Sequence, residues 1–180
     1  ELSDERPLRH EVVLNAGRLQ LQAQMAADGT PADDTWFRVL RDDTDAFGRP
    51  ARTQVAGNGY AAAAEFTLPS GHYVVEASCG NVRKELPVLV DAGAVTEQVI
   101  DLDAGRVELY ATLVAGGEAA AATRFEVFSD HPRAAEGSER EPLTVAEPTD
   151  RVAFVLPAGD YRVEARLGAA TARLPLRIEA

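Results

Sequence analysis

FTLPSGHYVVEASCG, residues 66–80, decides the architecture, because it returns as FVLPAGDYRVEARLG at residues 154–168. Pro69 and Pro157 stand 88 positions apart, and the same offset carries Gly71 onto Gly159 and Tyr73 onto Tyr161. Each copy reads as a strand end, a turn and a second strand. Phe66 and Leu68 flank Thr67 and give the first strand one apolar face. The proline fixes φ at the turn corner, and the glycine takes a conformation that a side chain penalises. After the turn, Tyr73, Val75, Ala77 and Cys79 alternate with Val74, Glu76 and Ser78. In the second copy Tyr161, Val163, Ala165 and Leu167 alternate with Arg162, Glu164 and Arg166. A period of two with charges on one face predicts a half-buried antiparallel strand, not a helix.

The repeat extends outward from this hairpin. Ala16-Gly17-Arg18 matches Ala104-Gly105-Arg106, and each opens a strand. Leu19, Leu21, Ala23 and Met25 are expected inward in the first copy, with Val107, Leu109, Ala111 and Leu113 in their places in the second. Phe37 and Val39 answer Phe125 and Val127, Leu86-Pro87 answers Leu174-Pro175, and Val90 answers Ile178. An internal period of this length divides the chain into a lead-in at 1–10, one domain at 11–93 and a second at 94–180. Val12 and Leu14 are expected inward at the start of the first domain, as counterparts of Ile100 and Leu102.

Turn residues place the remaining elements. Residues 17–26 form the clearest strand, and 35–41 another that carries Trp36. A loop is expected from Asp42, then a poorly patterned stretch to Ala64 with a turn at Gly57-Asn58-Gly59. Pro87 marks the last strand of the unit as an edge strand or bulge, since proline has no N–H for the ladder. The middle segment 130–149 of the second copy is the least similar and is expected as a Glu- and Pro-rich loop. About seven short strands per unit at this spacing predict an all-β chain of two tandem Greek-key sandwiches, of immunoglobulin or transthyretin type.

The 18 Lys and Arg against 29 Asp and Glu leave a net charge of −11. The charge is spread evenly, with 9 basic and 14 acidic residues in 1–93 and 9 and 15 in 94–180. An acidic surface without a basic stripe argues against nucleic acid or an anionic membrane as partner. No apolar run is long enough for a membrane-spanning helix, so no membrane insertion by this segment is expected. The opening Glu1 reads as the start of a mature or excised fragment. The single cysteine, Cys79, aligns with Leu167 and reads as a small buried apolar residue, not a reactive thiol.

The pattern A-G-[RK]-[LV]-x-[LV]-x-A followed by F-x-L-P-[SA]-G-x-Y-x-V-E-A-x-x-G resembles the immunoglobulin-like and carboxypeptidase-regulatory-like repeats of bacterial envelope proteins. It is similar above all to tandem repeats in proteobacterial proteins that also carry a von Willebrand A domain. The resemblance runs from about Val12 to the C-terminus. It implies a non-catalytic module of a larger exported protein, periplasmic or at the cell surface, whose partners are other proteins or neighbouring domains of its own chain.

The chemistry-bearing residues agree with a module that is not an enzyme. His10, His72 and His131 share no spacing, and His72 aligns with Asp160. H-x-x-x-H, C-x-x-C and G-x-S-x-G are absent, which removes the common zinc, redox and hydrolase signatures, and no cofactor is expected. Asp42, Asp43 and Asp45 ahead of Gly48 form a weak calcium candidate, because alternating oxygen ligands can wrap that ion. Against it, Phe47 stands where a further oxygen ligand belongs. The only lysine, Lys84, lies near Asn81, where a solvated charge is preferred over a lysine–asparagine crosslink of the kind some similar modules carry. Trp36, Tyr60 and Tyr110 are candidates for stacking on a sugar. The expected function is a structural or protein-interaction module that uses exposed edge strands. Carbohydrate binding through the aromatics is the alternative, and a calcium-stabilised adhesion module the second.

Overall fold

The computed structural model describes residues 9–44, 47–130 and 141–180, and every regular element within them is a β-strand. In chain order these are β1 (Ala16–Gln24), β2 (Trp36–Thr44), β3 (Pro50–Asn58), β4 (Ala63–Pro69), β5 (Gly71–Cys79), β6 (Val82–Val90), β7 (Val95–Asp101), β8 (Ala104–Tyr110), β9 (Thr123–Ser129), β10 (Thr144–Thr149), β11 (Arg151–Pro157), β12 (Gly159–Leu167) and β13 (Ala170–Ile178). They form four sheets with the orders β4-β1-β7, β3-β2-β5-β6, β11-β8 and β10-β9-β12-β13.

The first two sheets enclose one core. Leu19, Leu21 and Ala23 of β1 and Ile100 of β7 meet Phe37 and Val39 of β2 and Tyr73, Val75 and Ala77 of β5, all buried. Period-two alternation puts these side chains on the facing surfaces, and each large one contributes about 1.5–3 kcal/mol by leaving water. The second pair of sheets encloses Leu109, Phe125, Val127, Phe154, Leu156, Tyr161 and Val163. Both pairs are β-sandwiches.

The pairing repeats with the sequence offset. β11, β12 and β13 cover the ranges of β4, β5 and β6 moved on by 88 residues. Ala16 pairs with Pro69 and Ala104 with Pro157; Gly71 pairs with Val90 and Gly159 with Ile178. The turn between the paired strands is closed the same way in both copies. The Tyr73 hydroxyl donates to the Pro69 carbonyl at 2.7 Å, and that of Tyr161 to the Pro157 carbonyl at 2.8 Å. A buried tyrosine hydroxyl bonded back to upstream backbone is the corner device of β-sandwiches. β6 and β13, which carry Pro87 and Pro175, are both edge strands, where a missing N–H costs no ladder bond.

The structure departs from the sequence expectations in several places. The stretch after Asp42 is not a loop throughout: β2 runs on to Thr44 and pairs with β3, which the sequence did not reveal. β3 is an edge strand, and among its residues from Ala51 to Asn58 only Ala51 and Ala56 are even half-buried, so it shows no apolar alternation. β10 likewise occupies part of the segment read as a loop, while residues 131–140 lie outside the described residues. Val12 and Leu14 are not inward: they are 80 % and 78 % exposed and belong to no strand, and Leu113 is 79 % exposed. β7, which the period places at the head of the second copy, instead pairs in parallel with β1 of the first, from Arg18↔Val95 to Gln24↔Asp101.

A further difference concerns the outer face of the four-stranded sheets, which the half-buried pattern leaves to the charged residues. Glu76 and Glu164 are buried. Arg38 and Arg83 both reach Glu76, the former at 3.1 Å. Arg166 approaches Glu164 at 2.9 Å and Arg173 at 3.5 Å. Buried carboxylates persist only when paired, and arginine stems cover apolar surface while their heads do the pairing. Burial opposes ionisation of Glu164, but hydrogen bonds and charge from Arg166 and Arg173 outweigh it and hold its carboxyl below the usual value.

Candidate functional site

The candidate site is the junction where the two sandwiches meet. β7 ends at Asp101 and the chain enters β8 within three residues. Leu102 and Ala104 are buried in the first core, and their N–H groups donate to the carbonyls of Gln24 and Met25 at 2.9 and 2.8 Å. From the other side, Val155 of β11 packs against that same core. Its carbonyl accepts the Asn81 N–H at 3.1 Å. Gly80 turns here at φ 55°, a conformation glycine adopts freely, and a Cβ on it would lie 2.8 Å from the Val155 Cβ.

An open cleft runs along this junction, lined among others by Asp34, Tyr60, Cys79, Asn81, Arg106 and Val155. Asp34 and Arg106 pair across it at 3.8 Å with both side chains about two-thirds exposed, so the pair orients more than it stabilises. Cys79 is buried, and burial pushes its thiol up, partly offset by a hydrogen bond with Thr35. Such a thiol is a poor nucleophile. No group of three or more His, Cys, Asp or Glu side chains is placed to hold a metal among the described residues.

The predicted aromatics separate into a pair and a singleton. Trp36 opens β2, and Tyr60 stands in the turn after β3 at φ 58°, unusual for an aromatic residue. Their rings meet edge to face at 5.8 Å and 77°. Gly59 makes room, since a Cβ there would fall 1.9 Å from the Trp36 ring. Trp36 is 42 % exposed and Tyr60 78 %. Rings at this angle offer no shared flat platform for a sugar. Tyr110 lies on β8 with the Arg151 guanidinium 5.2 Å over its ring.

The acidic candidates do not converge. Asp42 and Asp43 are successive residues of β2, so their side chains leave on opposite faces. Asp42 lies 3.7 Å from Arg52, which also reaches Glu85 at 2.8 Å. Asp45 lies outside the described residues. Lys84 is exposed on β6. The sequence reading missed Asp34, Arg106 and Val155 at the junction. Only the departure of Asp34 from its counterpart Ala122 hinted at a special role.

No protein-family profile matches the chain, and no curated protein matches it. Similarity is found among solved structures. The TIE protein of Bacillus anthracis is 15 % identical, with a TM-score of 0.35 over 91 % of this chain and 32 % of that one. A streptococcal ancillary pilin is 12 % identical, with a TM-score of 0.38 over 90 % and 59 %. A DUF3823 family protein from Parabacteroides merdae is 13 % identical, with a TM-score of 0.30 over 91 % and 97 %. The chain thus spans about a third of the first and 59 % of the second.

Proposed function

We propose that this chain is a non-catalytic structural or protein-interaction module of a larger bacterial envelope or secreted protein. Its two Greek-key sandwich units are divided by the sequence period at 93/94, with β7 working for the unit before it. The resemblance to immunoglobulin-like and carboxypeptidase-regulatory-like repeats belongs to this reading. The observation that supports it best is the junction. Buried Leu102 and Ala104, backbone hydrogen bonds and the Gly80–Val155 contact join the units without a flexible linker. A spacer or display module needs such a joint, and a hydrolase or transferase needs converging reactive groups instead.

Small-angle scattering tests this. The unmodified chain is expected to scatter as one rigid particle, and Gly80→Val to loosen it. A profile of two freely jointed units in the unmodified chain would overturn the reading. Carbohydrate binding is kept as a second reading because Trp36 and Tyr60 are exposed and in contact. Trp36 is the only tryptophan, so fluorescence unchanged by a panel of oligosaccharides removes it.

A further inference from the structure

One face of the second sandwich carries more exposed chemistry than its repeat requires. β8 turns Arg106, Glu108 and Tyr110 to its outer side, and the register sets Val155, Ala153 and Arg151 of β11 beside them in that order. At the Arg106 end this face runs into the junction cleft of about 480 Å3, to which the first unit supplies Asp34 and Tyr60. At the far end Arg151 donates to Glu108 at 3.3 Å and lies 5.2 Å over the Tyr110 ring. Four strand residues at about 3.4 Å each put Tyr110 about 13 Å from Arg106. Tyr60 and Tyr110, which come from different units, therefore border one strip.

The fold of the unit does not ask for these side chains. The 88-residue offset carries Asp34 onto Ala122, Tyr60 onto Pro148, Tyr110 onto Gln22 and Arg151 onto Ala63. On the equivalent face of the first unit, Glu65 fills the middle and accepts from Gln20 at 2.8 Å. Its counterpart is Ala153, whose small side chain leaves the middle of the strip open.

We infer that this strip, from Tyr60 in the cleft to Tyr110 on β8, binds a neutral oligosaccharide. This rests on the carbohydrate reading and moves its site from the Trp36–Tyr60 pair to a surface shared by both units. The charges select the class of ligand. Two arginines and two carboxylates cancel in the pairs Asp34–Arg106 and Glu108–Arg151, so a charged polymer has to break a pair to gain a contact. A polyanion is also repelled by a chain of net charge −11. Each pair instead sets carboxylate acceptors beside guanidinium donors, and a sugar hydroxyl can donate to the one and accept from the other. The tyrosines at the two ends, 78 % and 57 % exposed, add flat apolar faces for the C–H side of a sugar ring. Side chains already held by a partner lose less freedom on binding. A cleft of this size at a junction of domains is where small ligands preferentially bind.

Isothermal titration calorimetry tests this with cellohexaose, xylohexaose, maltohexaose and chitohexaose, and with a heparin hexasaccharide as the charged control. At least one neutral sugar is expected to bind with a Kd on the order of 1 mM or tighter, and the heparin fragment not to bind. Ala153→Glu, which gives the strip the side chain of its counterpart, and Tyr110→Ala should each weaken that binding by about tenfold or more. Both positions are exposed, so the fold tolerates the change. Glu65→Ala on the equivalent face of the first unit should leave it unchanged. Binding that survives Ala153→Glu and Tyr110→Ala but is lost in Trp36→Ala overturns the strip and leaves the carbohydrate reading standing. Binding to none of the neutral sugars overturns both. Tighter binding of the heparin fragment than of every neutral sugar overturns the assignment of ligand class. None of these outcomes touches the scattering test of the junction, which stands or falls separately.

Discussion

The first sandwich buries eighteen residues in its core and the second nine, among the described residues, although their strands share one register. The centres of the two sandwiches match: Phe125, Leu156 and Tyr161 are as buried as Phe37, Leu68 and Tyr73. Part of the gap lies on β8, where Val107 and Ala111 are half-buried against fully buried Leu19 and Ala23, and part at the far end of the hairpin, where Leu167, Ala170 and Leu176 are more exposed than Cys79, Val82 and Val88. A three-stranded sheet covers the first core and a two-stranded sheet the second. The lesson is that completeness of a repeated unit is set by the neighbour that lends it a strand, here the segment leading into the next unit.

The sharpest way to break that contrast is to remove the lent side chains. Leu102→Ala is expected to cost about 3 kcal/mol in denaturant unfolding, as a buried leucine cut back to a methyl does. Leu14→Ala, its sequence counterpart, is expected to change monomer stability by less than about 0.5 kcal/mol, because its side chain is exposed. Equal losses would mean that the N-terminal segment is packed after all.

A smaller contrast separates the two turn glycines. Gly80 and Gly168 have φ of 55° and 58°, but only Gly80 faces Val155, while a Cβ at Gly168 meets nothing within 4 Å. Gly168→Ala should cost about 1 kcal/mol for the backbone conformation, and Gly80→Ala about 2–3 kcal/mol once the clash is added. Indistinguishable melting of the two variants would refute the junction contact. Smaller still, Tyr73→Phe and Tyr161→Phe should each cost about 1 kcal/mol, because the two hydroxyls hold equivalent backbone carbonyls, of Pro69 and Pro157. A clear difference between them would sharpen the asymmetry of the halves.

The weakest expected effect is on acid stability. Glu164 is held below its ordinary carboxylate value of 4.5, so it binds its proton less readily when folded. Its contribution is therefore present above that value and is lost as pH falls through the lower folded value. Glu164→Gln should flatten stability against pH in that acid window alone, as read by denaturant midpoints from neutral pH downward. A slope unchanged by the substitution would discount the Arg166 and Arg173 pairing.

Much of the fold was legible in the sequence because side-chain alternation and the offset reported the central strands directly. Tyr73, Val75 and Ala77 face a core in both reading and structure. β3 and β10 escaped notice because edge strands off the core carry little apolar patterning. The misplacement of Val12 and Leu14 has a clear physical origin. A repeat shows which residues resemble each other, not whether a partner strand is present to bury them. The covered outer face escaped for a related reason. Glu76 looks solvated in one strand, and only Arg38 on the adjacent strand and Arg83 on the other side bury it. The junction was the least legible part, since Asp34, Arg106 and Val155 meet only through the crossover geometry.

β1 and β7, the strands through which the chain enters and leaves the first sandwich, lie side by side and parallel over seven paired positions. Tension pulling that unit's two ends apart therefore slides one strand along the other. The evenly spaced, slanted bonds of a parallel pair then share the load together instead of unzipping one by one. The first sandwich is built as a clamp in line with the chain, while among the described residues β8 pairs with β11 alone. Stretching experiments in which the first unit gave way before the second would contradict this. Otherwise, a protein strung from such units resists pulling most where each borrows the start of the next.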